Sequence, residues 1–311
     1  MLLRIAEHLY WMGRYLDRAE TSARAFECAV ERENPPDGSS GAWAGLLAMA
    51  GLGEEFRERY HAPSAADLLH FFLFDLDNPS SLLSSLKAAR DNGRAACALL
   101  PPEVWESLNG IWLDLNELDQ YHLLSGGITP CLTRVKEGAR AIRGALDATR
   151  IQDEATRVLT LGRMLERADF LIRLLRGRMP VLVHAADVPD KNDDDSSKEL
   201  LRTAGALESY RAAYHEVITP WRVIDWLILR PENPGSVRTC LDRICDCLGS
   251  SAVGGEGKAA RLAYDLRGWL CDKGTGAALR QALPEQLADV ADLLQRLGTE
   301  INLELRASPC A

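Results

Sequence analysis

The stretch Gly13-Arg14-Tyr15-Leu16-Asp17-Arg18-Ala19-Glu20 returns later in the chain, in altered form, as Gly162-Arg163-Met164-Leu165-Glu166-Arg167-Ala168-Asp169. Both copies fit the pattern G-R-x-x-[DE]-R-A-[DE], and they are 149 residues apart. Around the first copy, apolar residues recur at three- and four-residue steps, which is the period of an α-helix. The stretch therefore predicts a long first helix, over about residues 2–32, that carries a charged motif.

Further segments repeat in the same order as the motif. They are 54–61 with 208–215, at an offset of 154, and 77–81 with 232–236, at an offset of 155. Ordered self-similarity at nearly constant spacing indicates an internal duplication. The sequence therefore predicts two tandem, pseudo-symmetric helical repeats, residues 1–150 and 151–311, packed as one compact unit. Within the repeated segments, Asn78-Pro79 and Asn233-Pro234 predict helix starts that are capped by Asn.

The predicted fold class is all-α, a bundle of many helices. The run Val181-Leu182-Val183, which contains two β-branched residues, is too short to support a sheet. An acidic segment at about 187–197 predicts a solvated loop. The other predicted helices cover about 41–60, 64–76, 79–98, 102–124, 129–149, 153–179, 197–217, 219–230, 234–249, 256–272 and 284–306.

Charge and composition exclude several classes of partner. The 311 residues carry a net charge of −9, which opposes sequence-independent binding to nucleic-acid phosphates or to an anionic membrane surface. No apolar run approaches the roughly 20 residues of a membrane-spanning helix. Charged residues among the first 20 positions, such as Arg4 and Glu7, interrupt any secretory apolar region. We expect a cytoplasmic protein that binds neither nucleic acid nor membranes.

The chain offers few of the spacings that mark metal, redox or nucleotide sites. The six His include no His-x-x-x-His pair, and the eight Cys include no Cys-x-x-Cys pair. The Gly-rich segments lack both a phosphate-loop pattern and a preceding strand. We expect reduced thiols, no metal site, and no ATP site formed by this chain alone.

The motif itself is the best candidate for chemistry. On a helix, Arg14, Asp17 and Arg18 stand at i, i+3 and i+4, and the two like-charged arginines need an anion near them. One hypothesis is a paired-arginine cradle for a carboxylate or phosphate. The other is a buried ion-pair network that locks the two repeats in register.

The first hypothesis defines a set of candidate residues, with no catalytic residue assigned. The candidate anion-binding residues are Arg14, Arg18, Arg163, Arg167, His8 and Arg90, and the supporting carboxylates are Asp17, Glu20, Glu166 and Asp169.

Several blocks of the chain resemble the bacterial alpha-E family, which is named for an all-helical fold and a Glu-Arg motif. The blocks are Ala6–Glu20, Asn78-Pro79-Ser80-Ser81, Ala89-Arg90-Asp91-Asn92, Leu161–Asp169 and Tyr210–Tyr214. The resemblance extends from residue 1 to about 250, and it departs from the family at Asp17, where Glu is usual.

The resemblance implies a role beside a circularly permuted ATP-grasp carboxylate–amine ligase. Such a ligase binds ATP and Mg²⁺, activates a carboxylate as an acyl phosphate, and passes it to an amine to form an amide. This chain would then be a helical partner subunit that helps to bind an amino-acid or peptide substrate. The alternative is a non-catalytic scaffold whose arginine and carboxylate motifs only hold the repeats together.

Overall fold

A computed structural model describes residues 3–32, 41–60, 64–117, 127–148, 153–187, 192–215, 218–249, 257–272 and 277–307. Across these ranges the regular structure consists of fourteen α-helices and one short 3-10 helix, Cys97–Leu99, with no strand. The all-α prediction is therefore confirmed.

The first seven helices are α1 (Leu3–Arg32), α2 (Gly41–Ala50), α3 (Gly53–Arg59), α4 (Ala65–Leu73), α5 (Leu82–Ala95), α6 (Pro102–Asn116) and α7 (Thr129–Ala148). The next seven are α8 (Glu154–Asp187), α9 (Asn192–Ala204), α10 (Leu207–Tyr214), α11 (Pro220–Ile228), α12 (Val237–Gly249), α13 (Lys258–Asp272) and α14 (Ala277–Ala307).

Packing groups the chain into two compact units, Met1–Arg163 and Met164–Ala311, and the division falls inside α8. In the first unit, α1 packs against α2, α5 and α7, and α6 packs against both α5 and α7. In the second unit, α12 packs against α13 and α13 against α14, while α10 and α11 pack on α9. The repeat boundary at residue 150 stays a prediction from the sequence.

The core of the first unit follows from the apolar face of α1. Leu9, Met12 and Leu16 are fully or almost fully buried, as the three- and four-residue spacing predicts. Gly93 lets α5 pack closely against α1, because a Cβ at residue 93 would lie 3.3 Å from the sulfur of Met12. The result is a motif helix held on several sides by its neighbours.

Two predicted helices are broken by glycine. The segment 41–60 forms α2 and α3, and the segment 197–217 contains the junction of α9 and α10. At each junction a glycine, Gly51 or Gly205, has a φ of +70°. The amide that follows it donates to the carbonyl five residues earlier, at 3.0 Å in the first junction and 2.8 Å in the second. A left-handed glycine with this hydrogen bond ends a helix.

The predicted acidic loop at about 187–197 is wrong in its second half, because α9 begins at Asn192. Carboxylates in the first turn of a helix are favoured by the helix dipole, and Leu200 and Leu201 give α9 a buried face. Residues 188–191 of that segment lie outside the described part of the chain.

The turns that precede α5 and α12 have the same hydrogen bonds. Asn78 donates from Nδ2 to the carbonyl of Phe71 at 2.9 Å, and its Oδ1 accepts from the amide of Ser80 at 2.9 Å. Asn233 makes the matching bonds to the residues seven before and two after it, at 3.0 and 3.1 Å. Both side chains are buried.

The helix caps in these turns are serines, which corrects the predicted Asn caps. Ser81 accepts from the amide of Ser84 at 3.1 Å, and Ser236 accepts from the amide of Thr239 at 3.1 Å. Asn is preferred at many N-caps, but here its side chain is used to close the preceding turn.

Candidate functional site

The first copy of the motif is divided between two faces of α1. Gly13, Asp17 and Glu20 stand at i, i+4 and i+7, and Asp17 and Glu20 are each only 1% exposed. Arg14 and Arg18 lie on the neighbouring face and are half-buried. Within one short sequence, the carboxylates therefore point into the protein and the arginines lie near its surface.

The two arginines rest on aromatic rings that precede them by three residues. The guanidinium of Arg14 lies 5.8 Å from the ring centroid of Trp11, and that of Arg18 lies 5.3 Å from the ring of Tyr15. The Trp11 and Tyr15 rings are themselves stacked, with centroids 5.6 Å apart. We call Trp11, Arg14, Tyr15 and Arg18 the aromatic–arginine stripe. Cation–π contacts of this kind contribute about 0.5–2 kcal/mol each and hold the guanidinium in place.

The buried carboxylate Glu20 is part of an ion-pair network. Its two oxygens pair with Arg24, one turn further along α1, and with Arg143 of α7. A buried carboxylate is tolerated only when it is paired, so these arginines are required by Glu20. A second ion pair, Lys136 with Glu27 at 2.5 Å, joins the same two helices. These contacts fix α1 against α7.

The second copy of the motif, on α8, keeps part of this arrangement. Glu166 is fully buried, whereas Asp169 is half-buried. Arg173 pairs with Asp169 at 3.1 Å and lies 3.9 Å from Glu166. Arg163 and Arg167 are half-buried, like their counterparts on α1.

Arg167 also lies next to the turn that precedes α12. A Cβ on Gly235 would be 3.6 Å from Nη1 of Arg167. This is an ordinary van der Waals distance, so Arg167 packs beside the Asn233 turn.

The glycines of the two copies meet inside the first unit. A Cβ on Gly13 would overlap the carbonyl oxygen of Leu159 and lie 3.2 Å from the amide nitrogen of Arg163. A Cβ on Gly162 would overlap the carbonyl oxygen of Tyr10 and lie 3.2 Å from the amide nitrogen of Arg14. The contacts are reciprocal, so α1 and the start of α8 cross backbone to backbone. Only glycine permits this approach at either position.

His8 is held by α5. Its Nδ1 and Oδ1 of Asn92 are 2.8 Å apart, and Nδ2 of Asn92 donates to the carbonyl of Ala88 at 2.8 Å. The second bond fixes which end of the amide faces the ring, so Nδ1 of His8 carries the proton and donates. His8 lies one turn before Trp11 on the half-buried side of α1 and extends the stripe toward the N-terminus.

Arg90 is not brought to the stripe. It lies on the flank of α5 that faces α6, where its Nε donates to Oδ1 of Asn109 at 2.7 Å and its guanidinium covers the ring of Trp112 at 4.3 Å. Asn92 points from the same helix toward α1 and His8. Residues two apart on a helix face different directions, which places Arg90 in a separate cluster.

Sequence reasoning missed the aromatic partners and the cross-helix arginine. Trp11 and Tyr15 precede Arg14 and Arg18 by three residues each, and this i, i+3 spacing is a signal that the sequence contains. Arg143 has no such signal, because it is 123 residues from Glu20.

Two of the buried thiols, those of Cys131 and Cys245, have the chemistry of packed residues. Burial raises the pKa of Cys131 and of Cys245 to about 11, so both are protonated at neutral pH. Among the residues that the structure describes, no three His, Cys, Asp or Glu side chains are grouped in a way that suits a metal ion. In the same part of the chain, no helix combines the length and apolar character that crossing a bilayer requires.

A family model described as a predicted alpha-helical domain with a conserved ER motif, Alpha-E, matches residues 1–304. The chain belongs to the Alpha-E family. The resemblance seen in the sequence is therefore confirmed, and it covers almost the whole chain. No curated protein and no solved structure matches it. In this Alpha-E protein the second copy of the motif contains a Glu-Arg pair, Glu166-Arg167, and the first has Asp17-Arg18 in its place.

Proposed function

We propose that this Alpha-E protein is the helical partner subunit of an ATP-grasp-type carboxylate–amine ligase. In this proposal the aromatic–arginine stripe binds the carboxylate or phosphate of the substrate, and the ligase binds ATP and Mg²⁺. The observation that carries it is the division of the motif, with Asp17 and Glu20 buried and Arg14 and Arg18 half-buried on aromatic rings.

In this proposal the buried carboxylates of the motif stabilise the fold, and the half-buried arginines bind the substrate. Glu20 is paired with Arg24 and Arg143, so its contribution to the fold does not depend on a ligand. Arg14 and Arg18 are one helical turn apart, so both guanidinium groups can reach the same anion. Their planar forks suit the two oxygens of a carboxylate, and stacking on the rings reduces the entropy lost on binding.

His8 and the second copy extend the proposed site. His8 lies on the same side of α1 as the stripe, and its donor bond to Asn92 directs the ring. We propose that it contacts the same substrate. Arg163 and Arg167 are the corresponding arginines of α8, and we propose that they bind anions in the same way. The partners of this subunit would be the ligase and an amino-acid or peptide substrate.

We also propose that the chain is a tandem duplication with repeats 1–150 and 151–311. The matching Asn78 and Asn233 turns support it, as do the glycine-terminated junctions at Gly51 and Gly205. Two of the matching pairs of helices have equal length, nine residues in α4 and α11 and 15 residues in α6 and α13. The order of the helices also agrees in both halves.

The proposed function is tested with an ATP-grasp carboxylate–amine ligase, the class of partner that we propose. The two proteins are produced together, co-purified, and supplied with ATP, Mg²⁺ and an amino-acid mixture, and the products are read by mass spectrometry. We expect an ATP-dependent amide product that is lost with Arg14→Ala or Arg18→Ala. The matched control is Arg57→Ala, which removes an exposed arginine of α3.

The result that contradicts the proposal is a ligase that neither co-purifies with this chain nor changes its product when the chain is added. Unchanged turnover with Arg14→Ala and Arg18→Ala, in a complex that does form product, would remove the stripe from the substrate site. That result would leave the proposed partnership with the ligase in place and would reject the proposed substrate-binding role of Arg14 and Arg18.

A second candidate function is a scaffold in which the motif only locks helices together. The reciprocal crossing at Gly13 and Gly162 favours it, because backbone contact is a structural use of the motif. If the motif is only structural, Arg14→Ala should lower the melting temperature and leave the turnover per folded molecule unchanged.

A further inference from the structure

The second cluster of cationic and aromatic side chains lies between α5 and α6, centred on Arg90. The guanidinium is fixed from two sides. Its Nε donates to Asn109 at 2.7 Å, and its plane lies 4.3 Å from the ring of Trp112 and 6.0 Å from that of Trp105. We call Arg90, Trp105, Asn109 and Trp112 the Arg90 clamp.

Among the described residues, the outer end of this guanidinium has one long ion pair and no hydrogen bond. Nη1 lies 3.9 Å from a carboxylate oxygen of Asp91, which is too long for a hydrogen bond, and within the described ranges neither Nη group donates one. The side chain keeps 21% of its surface exposed. Two parallel N–H groups on a rigid, partly exposed fork match the two oxygens of a carboxylate.

The residues around the Arg90 clamp indicate what kind of ligand would provide that carboxylate. Trp105 and Trp112 are half-buried and lie against the guanidinium, so the walls of the clamp are apolar. Lys87 and Arg94 lie on the Arg90 side of α5, at i−3 and i+4, and both are exposed. Within α5 itself, Asp91 is the carboxylate that opposes them, and it pairs with Lys87 at 3.0 Å.

We infer that the Arg90 clamp is a docking site for an acidic peptide segment of a partner protein. A Glu or Asp carboxylate of that segment binds the two Nη groups of Arg90, and a neighbouring apolar side chain packs on Trp105 and Trp112. Trp and Arg are the residues that most often dominate protein–protein binding energy, and the basic edge of α5 complements an acidic segment. The site is separate from the aromatic–arginine stripe and does not depend on the proposed ligase function.

The binding test uses the full-length protein labelled with ¹⁵N at its Trp residues. The variants Trp105→Phe and Trp112→Phe assign the two indole N–H signals of the clamp. The probe is an acetylated, amidated tetrapeptide, Leu-Glu-Leu-Glu. The controls are the same peptide with Gln for Glu, and acetate. We expect the two assigned signals to shift with the Glu peptide at concentrations on the order of 1 mM, and the controls to bind at least about tenfold more weakly.

Variants identify the groups responsible. Arg90→Lys keeps the charge and loses the planar fork, and we expect it to raise the Kd by about ten- to a hundredfold. Asn109→Ala removes the acceptor of the Arg90 Nε hydrogen bond, and we expect it to raise the Kd less than Arg90→Lys does. Arg57→Lys, on exposed α3, is the matched control and leaves the Kd unchanged.

Three results overturn the inference. The first is the absence of any shift of the two assigned signals with the Glu peptide. The second is equal binding of the Gln peptide or of acetate, which would remove the carboxylate or the apolar contact. The third is an unchanged Kd in Arg90→Lys. Thermal melts accompany each variant, and if Arg90→Lys fails to fold, an unchanged Kd in Asn109→Ala overturns the inference instead.

Discussion

The two copies of the motif keep the same buried face and differ on the exposed one. Gly13 and Asp17 match Gly162 and Glu166, and all four are buried. The aromatic residues three positions before the arginines differ, because the positions of Trp11 and Tyr15 are taken by Thr160 and Met164 in the second copy. Helix packing therefore constrains the buried face in both copies, whereas aromatic residues three positions before the arginines occur in the first copy and not in the second. We therefore expect the first copy to contribute more to anion binding.

The last carboxylate of the motif gives the second difference. Glu20 is almost fully buried and pairs with Arg24 and Arg143. Its counterpart Asp169 is shorter, half-buried and paired with Arg173. The carboxylate at this position therefore pairs with an arginine of another helix in the first copy and with an arginine of its own helix in the second copy.

Of the substitutions compared between the two copies, removal of these two carboxylates should give the largest difference in the free energy of unfolding. Glu20→Ala leaves two arginines around a buried gap, and we expect it to lower the free energy of unfolding by about 3–5 kcal/mol. Asp169→Ala breaks a partly exposed pair and should cost less than about 1 kcal/mol. Urea unfolding followed by circular dichroism measures both. Equal costs would contradict the distinction between the two networks.

The glycine crossing is expected to have the next largest effect. Gly13→Ala or Gly162→Ala forces a Cβ into a backbone carbonyl that has no room to move, and each should cost about 2–3 kcal/mol. Once one substitution has separated the helices, the second should cost less, so the double variant should be less destabilised than the sum. Thermal melts of the three variants test this.

The control for the crossing is Gly144→Ala in α7. A Cβ there meets nothing within 4 Å, so better helix propensity should stabilise the protein by up to about 1 kcal/mol. Strictly additive losses at Gly13 and Gly162 would show that the two positions do not share one contact.

The Asn turns should respond alike if the two halves are repeats. Asn78→Ala and Asn233→Ala each remove one buried donor and one acceptor, and each should cost about 2 kcal/mol. Chemical denaturation of the two variants gives the comparison. A loss at one position with no loss at the other would argue against equivalent turns.

The starts of α4 and α11 should give the smallest contrast. Ser64 caps α4, and Asp67 completes a capping box, whereas Thr219 makes no side-chain cap bond before α11, which begins with Pro220. Ser64→Ala should cost about 1 kcal/mol, and Thr219→Ala less than about 0.5 kcal/mol.

The cap of α4 should also depend on pH. Hydrogen bonds from the backbone and side chain of Ser64 hold the pKa of Asp67 below its ordinary value. The folded pKa is depressed, so this contribution is present at neutral pH and is lost as the pH falls through that lowered pKa. Acid titration of the melting temperature should show a smaller change in Ser64→Ala than in the wild type. An identical profile would contradict the role of the capping box.

Periodicity was enough to predict the helices, because apolar positions every three or four residues are a local property of the chain. Junctions at Gly51 and Gly205 were missed because the apolar pattern runs through them, although a left-handed glycine ends a helix on each occasion. The close crossing of α1 and α8 follows from small residues in the motif, and its reciprocal geometry needed the structure.

The candidate site was predicted in part. The sequence placed Arg14 and Arg18 on one side of a helix, but it gave no means to separate them from the buried Asp17 and Glu20. Arg90 joins a different cluster, because its partner Asn109 comes from α6 and lies 19 residues away. Contacts between helices depend on packing that the spacing of residues along one helix does not contain.

The most direct test of the division of the motif is to measure stability and turnover on the same variants of the ligase complex. Arg14→Ala should lower the rate of amide formation by about thirty- to several-thousandfold, because a charge-assisted bond to substrate is lost, and should change the melting temperature little. Arg163→Ala should lower the rate less, because Thr160 stands three residues before Arg163 where the first copy has Trp11. A large fall in the melting temperature of Arg14→Ala, with unchanged turnover per folded molecule, would contradict the account.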